Sequence, residues 1–463
     1  MKRIFSAPTA VNLELTEICN VACRHCYNFW REDRVSSISL DKDRMDRLVE
    51  KFREAGIFHV ILSGGEPFAE FDVLEYAIDT LLQNNISVSC NSNLMLTTED
   101  KIERLAAAGL DHILTSLPSG DPATCDHIMN QVGAFEKVVK GIEETVAGGI
   151  RVSANMVLMR SNLGQVYQTA ELLSQLGVQK LFFTRSVPPV SQSEPDTELD
   201  VGPEEMKGAL DAALQAKADF GIQVGSLVSY PLCFLGDLEK YADFVGRGCP
   251  SQSGHRMSIN ATGDIHACVH EDESYGNVFE SPLAEIYQTR MRKWHDQRFY
   301  YEGCRGCEYI EICESGCSMM ALGHYGSHKE KDPLFVGPQG IIKHFKVAGN
   351  TDILDAMESG MAFSVPKRLR FRKEDGFYLL SIRWANVITL PTVIAEFLLS
   401  RQHSGDPFTL EDFGKEHRDL LAGLFFKDAV VSCDERKTRQ VKRESPTGLS
   451  VNLENLPGAS FSI

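Results

Sequence analysis

The feature that most limits what this chain can become is the placement of its thirteen cysteines. Cys19, Cys23 and Cys26 crowd together near the N-terminus, and six more (Cys249, Cys268, Cys304, Cys307, Cys313, Cys317) fall in one later stretch. Cys90, Cys125, Cys233 and Cys433 stand apart and read as small buried hydrophobes. The opening Met1-Lys2-Arg3-Ile4-Phe5-Ser6 is positively charged but has no continuous apolar run before Asn12 and Glu14, so no secretory signal is expected. In a chain expected to be cytoplasmic, bunched cysteines point to metal or catalysis rather than disulfides.

Composition removes other classes. With 463 residues, 43% of them hydrophobic, the chain can bury a sizeable core and divide into several domains. A formal net charge of −17 argues against a nucleic-acid partner. No run of 18 apolar residues occurs, so a membrane-spanning helix is not expected.

From residue 9 to about 184, short apolar runs alternate with amphipathic stretches. Val11–Leu15, Phe58–Leu62, Ile86–Cys90, Ile113–Leu117, Val152–Leu158 and Lys180–Thr184 read as strands. Helical patterns separate them, including Asp43–Ala55 with Met45, Leu48, Val49 and Phe52 on one face, and Gly56, Gly109, Gly149 and Gly177 stand where such helices should stop. Six such repeats imply a parallel sheet, and a closed eightfold barrel would need two more. The expected fold class is therefore α/β, a partial (β/α)6 TIM-type barrel. A proline-rich linker or lid at Ser186–Pro203, a helix at Glu204–Phe220 and a short strand at Ile222–Val228 follow.

Residues 232–340 are rich in Cys, Gly, His and Tyr and poor in periodicity, so a structural cofactor is expected to supply what packing does not. Beyond 365, two strands about Glu374-Asp375-Gly376, three helices and a strand at Ala429–Cys433 suggest a small α+β winged-helix-like module. The basic, then polar, tail reads as disordered. The expected domains are 1–230, 231–345, 346–433 and a 434–463 tail.

Chemistry enters with Cys19-x3-Cys23-x2-Cys26, directly after the first strand. Three thiolates in one loop hold three irons of a [4Fe–4S] cubane and leave one iron open, whereas zinc would want a fourth protein ligand such as His25. The loop resembles the signature of the radical S-adenosylmethionine (SAM) superfamily, with His25 at the aromatic position. Ser63-Gly64-Gly65-Glu66-Pro67 is similar to that family's GGEP motif, which meets the SAM amino group. The resemblance implies SAM as cofactor, with reductive cleavage to a 5′-deoxyadenosyl radical that takes a hydrogen atom from substrate. It also implies SAM contacts at Gly64, Gly65, Glu66, Asn91, Asn93 and Ser116. Two departures stand out. The common Ser-Leu-Asp-Gly reads Ser116-Leu117-Pro118-Ser119, and the usual Arg-Gly-x-x-Gly-Ser-Phe reads Met129-Asn130-Gln131-Val132-Gly133-Ala134-Phe135. A cation for the SAM carboxylate is thus missing there, and Arg160 and Arg185 are the replacements at hand.

Cys249-x18-Cys268 followed by Cys304-x2-Cys307-x5-Cys313-x3-Cys317 resembles the SPASM domain, which carries auxiliary [4Fe–4S] clusters in peptide-modifying enzymes. By that resemblance Cys249, Cys268 and Cys317 bind a first auxiliary cluster, and Cys304, Cys307 and Cys313 a second. The family's last cysteine follows Asp-Pro-x, but here Asp332-Pro333-Leu334 leads to Phe335. Each cluster is therefore one ligand short. His324, His328 or a carboxylate is a candidate for the second site, and a substrate group or Cys233 for the first. Anaerobic sulfatase-maturating enzymes carry a basic aspartate after the second SPASM cysteine; Val269 stands there, leaving His270 and Asp272 as candidate catalytic bases.

The C-terminal pattern more weakly resembles PqqD-like peptide-recognition modules, which add a leader strand to a sheet edge. The resulting expectation is a radical SAM/SPASM maturase that oxidatively cross-links (C–S or C–C) a ribosomally made precursor peptide, served by a flavodoxin- or ferredoxin-type reductant. The alternatives are a SPASM-type dehydrogenase or small-molecule enzyme, and a non-catalytic Fe–S or zinc protein.

Overall fold

Alternation of apolar runs and amphipathic helices builds one large sheet. The structure, a computed structural model, describes residues 5–28, 38–188, 198–245, 248–296, 299–337, 357, 360–383, 386–433 and 461–462. It divides into two compact units, residues 1–343 and 344–463.

In the first unit the parallel strands are β1 (Ala10–Thr16), β2 (His59–Gly64), β3 (Ser87–Ser92), β4 (His112–Ser116), β5 (Arg151–Leu158), β6 (Lys180–Arg185) and β7 (Gln223–Gly225). They lie side by side in sequence order. Helices α1 (Lys42–Glu54), α2 (Phe71–Gln83), α3 (Glu99–Ala108), α4 (Pro122–Met129), α5 (Ala134–Ala147), α6 (Val166–Gln175) and α7 (Pro203–Phe220) fill the crossovers. The fold is the expected α/β partial barrel, with the short strand after α7 extending the sheet as a seventh parallel member. Asp41 caps α1 by accepting the Arg44 N–H at 2.7 Å, and Met45, Leu48, Val49 and Phe52 form its buried face. Gly56, Gly109, Gly149 and Gly177 all have positive φ, as helix-terminating residues should. In the expected linker, residues 189–197 lie outside the described residues.

β1 is buried along its whole length because it is central. On its far side it pairs in parallel with β8 (Arg256–Ile259), and β8 pairs antiparallel with β9 (Ile265–His266). The cysteine-rich segment thus begins by adding a hairpin to the barrel sheet. The rest of it is short helices, α8 (Leu232–Leu235), α9 (Leu283–Gln288), α10 (Arg292–Asp296), α11 (Ile310–Cys313) and α12 (Ser318–Tyr325). Among the described residues, no helix is long and apolar enough to cross a membrane.

The second unit pairs β10 (Phe363–Ser364) with β14 (Val431–Ser432) and orders β11 (Arg370–Glu374), β12 (Phe377–Arg383), β13 (Asn386–Pro391) and β15 (Phe461–Ser462) in an antiparallel sheet. Helices α13 (Thr392–Ser404), α14 (Leu410–Phe413) and α15 (Arg418–Phe426) accompany them, with a core that includes Leu380, Leu390, Leu398, Leu421 and Phe425. β13 was not expected from the sequence: Pro391 ends it and leads into α13, which masks a short strand behind a helix start. The expected strand at Ala429–Cys433 shrinks to β14. The expected tail lies outside the described residues except for β15.

One buried ion pair ties the end of β6 to the cysteine-rich segment. Arg185 donates through Nη1 and Nη2 to the two carboxylate oxygens of Asp332, both at 2.8 Å, with side chains 2% and 0% exposed. Asp332→Ala would strand Arg185 as a buried, unpaired charge. It is expected to lower stability by about 3–5 kcal/mol. Glu75→Ala, which breaks the more exposed Arg104 pair, should cost about 1 kcal/mol or less. Chemical denaturation of the two variants under anaerobic conditions checks the contrast.

Candidate active site and cysteine sites

The loop carrying Cys19, Cys23 and Cys26 leaves the C-terminal end of β1, where strand ends in such sheets present their functional groups. Its backbone is pinned on three sides. The Gly65 N–H donates to the Thr16 carbonyl at 2.7 Å, and the Glu66 N–H donates to the Ile18 carbonyl at 2.8 Å. Arg24 donates from its backbone N–H to the Ile128 carbonyl at 2.9 Å and from Nε to the His127 carbonyl at 3.0 Å, anchoring the loop to α4. Asn28 donates to the Gly64 carbonyl at 3.2 Å. All three cysteines are partly buried free thiols.

This geometry gives the two glycines a reason the sequence did not show. A Cβ on Gly64 would fall 2.3 Å from the Thr16 carbonyl oxygen, and one on Gly65 would fall 2.1 Å from that of Ile18. Both obstacles are backbone. The glycines allow β2 to run against the start of the cysteine loop, whatever else approaches them.

Glu66 is buried and holds the ends of β2 and β3 together. Its carboxylate accepts the Phe68 N–H at 3.0 Å, the Ser92 hydroxyl at 2.7 Å and the Asn93 N–H at 2.8 Å. Burial pushes its carboxyl up, and the three hydrogen bonds oppose that shift. Asn93 in turn donates to Asn20, inside the cysteine loop, at 2.8 Å. Asn91 lies on β3 and Ser116 ends β4, both partly buried. Arg185, a candidate for the SAM carboxylate, is instead committed to Asp332 and to the Ser229 carbonyl. Arg160 is half-exposed and held by Glu205 at 3.0 Å. The sequence motif therefore reads as a tightly braced frame around the loop.

The second group of cysteines falls into two sets in space. Cys249, Cys268 and Cys317 are close enough for their charges to interact; burial is the main cause raising each thiol, to about 12 for Cys249. Two buried guanidinium groups stand beside them. Arg256 is next to Cys268 and Cys249, with its Nε lacking a partner among the described residues, and Arg185 is next to Cys317. Converging thiols beside buried cations suit a bound anionic thiolate cluster, since a coordinating metal deprotonates such thiols outright. The residues present therefore fit an iron–sulfur group.

Tyr27 and His270 lie between this site and the N-terminal loop. Their rings are 4.9 Å apart, and Nδ1 of His270 is 3.5 Å from the Cys268 sulfur. Tyr27 is near Cys26 and Cys268; burial first, then the charges of Glu14 and these thiols, push its hydroxyl far up. Burial lowers His270 to about 4, so the ring is neutral at ordinary pH. Asp272, the other candidate base, is exposed at the surface. Glu271, between them, is buried and accepts the Tyr275 hydroxyl at 2.8 Å.

Cys304, Cys307 and Cys313 line a separate pocket, and Cys233 lines it with them. This corrects one expectation: Cys233 is partly buried and stands with other thiols rather than apart as an isolated buried one. His328 instead packs against Phe299 and Trp294, with ring centroids 4.7 and 5.3 Å away, and neither it nor His324 lines the pocket. Of the other scattered cysteines, Cys90 and Cys125 are buried as expected and Cys433 is exposed.

A partial barrel with a three-cysteine loop at the end of its first strand, joined to a cysteine-rich region, defines an iron–sulfur enzyme fold. Residues 13–173 match the Radical SAM superfamily and residues 249–308 match the SPASM iron–sulfur cluster-binding domain. The chain is a radical SAM superfamily enzyme with a SPASM domain, which sets aside the non-catalytic alternative. The family implies SAM with a [4Fe–4S] cluster, and the domain implies auxiliary iron–sulfur clusters.

An AdoMet-dependent heme synthase of Methanosarcina barkeri is 26% identical over 71% of this chain and 96% of its own length. A PqqA peptide cyclase of Methylocella silvestris is 25% identical over 71% and 87%. Among solved structures, SuiB of Streptococcus suis bound to precursor peptide SuiA aligns with a TM-score of 0.58 at 17% identity, over 71% of this chain and 76% of that one. Native anSMEcpe with bound AdoMet aligns with a TM-score of 0.57 at 14% identity, over 70% and 93%.

The brace around the loop can be tested directly. Gly65→Ala forces a Cβ into the Ile18 carbonyl and is expected to abolish SAM binding and loop-cluster iron while the auxiliary iron remains. Iron analysis and equilibrium dialysis with labelled SAM report the two losses.

Proposed function

We propose that this enzyme modifies a ribosomally made precursor peptide by radical hydrogen abstraction, with oxidative C–S or C–C cross-linking as the outcome. Cys19, Cys23 and Cys26 would hold the SAM-binding cluster, with Gly64, Gly65, Glu66, Asn91, Asn93 and Ser116 around SAM. Cys249, Cys268 and Cys317 would hold one auxiliary cluster, and Cys304, Cys307 and Cys313 would belong to a second. When bound, SAM and the reduced cluster supply a carbon radical able to remove hydrogen from an unactivated C–H bond.

The observation that carries this reading is the contact between Tyr27 and His270, which brings the N-terminal loop against the first auxiliary site. A substrate held there lies between the site of hydrogen removal and a cluster able to take up the electron that cross-linking releases. The chain's own part is to hold the substrate, exclude water and keep His270 neutral at Cys268. His270 remains the better candidate to accept a substrate proton, because Asp272 is turned to the surface.

Support for a peptide substrate comes from the similarity to PqqA peptide cyclase and from the second unit. There the antiparallel sheet takes a short separate strand, Phe461–Ser462, beside Val387 and Ile388 of β13, and has β11 at its other edge. A leader peptide could be taken up by the same kind of strand addition, as in the PqqD-like modules. A flavodoxin- or ferredoxin-type reductant and a reducing, cytoplasmic setting complete the reading. The similarity to AdoMet-dependent heme synthases favours a second reading, a radical enzyme acting on a small molecule with a porphyrin core.

Reduced, reconstituted protein should form 5′-deoxyadenosine, and Cys23→Ala should form none. Coexpression with a small peptide encoded beside the gene should yield a product lighter by two hydrogen atoms, read by mass spectrometry. An unchanged peptide together with turnover of a porphyrin substrate would replace the first reading with the second. Anaerobic protein should hold about 12 Fe per chain, four per cubane; about 8 would remove one auxiliary cluster, and about 4 both.

A further inference from the structure

We propose that Cys233 is the fourth thiolate ligand of the second auxiliary cluster, in place of the downstream cysteine that Phe335 replaces. The inference rests on the reading above that Cys304, Cys307 and Cys313 hold a cluster.

Four cysteines, from two segments some seventy residues apart in sequence, line one pocket. The four side chains share the wall of this one opening with Pro231, Tyr309 and Ile310. Cys233 sits in α8, and the residue before it already touches the group: the Leu232 N–H donates to the Cys313 sulfur at 3.4 Å. Cys304 and Cys313 both feel the charge of Cys233. The segment after Asp332-Pro333 does reach the pocket, as the family pattern would have it, but it presents an aromatic ring. Phe335 lines the wall, its N–H bound to the Asp332 carbonyl at 2.8 Å and its ring edge-on to Tyr301 with centroids 5.2 Å apart.

Two other donors that the sequence offered are engaged elsewhere. Asp332 is locked to Arg185 and to the Cys317 and Leu334 N–H groups. His328 is packed between Trp294 and Phe299. A thiolate is also the donor that iron–sulfur clusters take by preference. On ligation, each thiol gives up its proton to solvent and forms an Fe–S bond. No redox partner is needed for that step.

The test uses the full chain with Cys19, Cys23 and Cys26 replaced by alanine, which leaves only the auxiliary clusters. About 8 Fe per chain is expected. Adding Cys233→Ala should lower the iron and give a [3Fe–4S] signal in oxidised samples by electron paramagnetic resonance. Cys304→Ala should behave alike, and Cys433→Ala should change neither readout. Cys233→Ala with Phe335→Cys should restore the four-iron spectrum. Independently of any variant, Cys233 in the native reconstituted protein should resist alkylation as Cys304 does, and react once iron is chelated. The proposal is overturned if Cys233→Ala keeps full iron and spectrum while Cys304→Ala loses them, or if Cys233 is alkylated in the holo-protein as fast as Cys433. About 4 Fe in the parent variant would instead remove the second cluster itself, and this ligand with it.

Discussion

The carboxylate of Asp332 is the point on which the iron–sulfur half of the first unit depends. It sits fully buried, takes a two-pronged grip from Arg185 at the end of β6, and accepts the N–H groups of Cys317 and Leu334 at 3.0 and 2.9 Å. One side chain therefore fixes three things relative to the barrel: a cysteine of the first auxiliary site, the turn that carries Phe335, and the last parallel strand of the six expected. A buried ion pair is a poor source of net stability, because desolvation offsets most of the attraction. Its use here is positional. With all its oxygens engaged, Asp332 has one arrangement available, and loops too irregular to pack by themselves inherit that definition.

The same logic operates at the opposite end of the chain's chemistry, on β2. Glu66 is a buried carboxylate satisfied by two backbone N–H groups and a hydroxyl, and it joins β2 to β3 just where Gly64 and Gly65 press against the cysteine loop. Both cysteine-bearing regions are thus positioned by acids whose burial would be costly if any partner were lost. Removing bulk and adding a satisfied charge are two ways of making a loop rigid without an apolar core.

Much of the barrel was legible because its signals are local. The face Met45-Leu48-Val49-Phe52 and the helix-ending glycines each need only a dozen residues to be seen, and the six repeat strands came within about two residues of their limits, while the seventh, expected at Ile222–Val228, is only Gln223–Gly225. The cysteine spacings pointed to a SPASM domain for the same reason. What escaped was non-local or ambiguous. β13 is six residues long and runs straight into a helix at Pro391, so periodicity could not separate them. The brace made by Gly65 depends on Ile18, a residue 47 positions away, which no spacing rule records. Cys233 looked isolated because its companions lie in a different part of the sequence; only folding brings α8 to the Cys304–Cys313 run.

That regrouping changes how the two auxiliary sites differ. If Cys233 belongs with Cys304, Cys307 and Cys313, it is no longer at hand for Cys249, Cys268 and Cys317, which keep three thiols. The three-thiol site is also the one that meets Tyr27 and His270 on the way to the N-terminal loop. A fully ligated cluster is suited to passing electrons, whereas a site with an unfilled position is suited to meeting another donor, from the substrate or from the neighbouring histidine. The distribution of four and three thiols therefore fits where each group lies. On that reading the saturated one would occupy the pocket that Phe335 lines, and the unsaturated one would face the N-terminal loop. With Cys233 as the ligand, Phe335 would need no bond to iron, and its ring would serve as an apolar wall of the pocket.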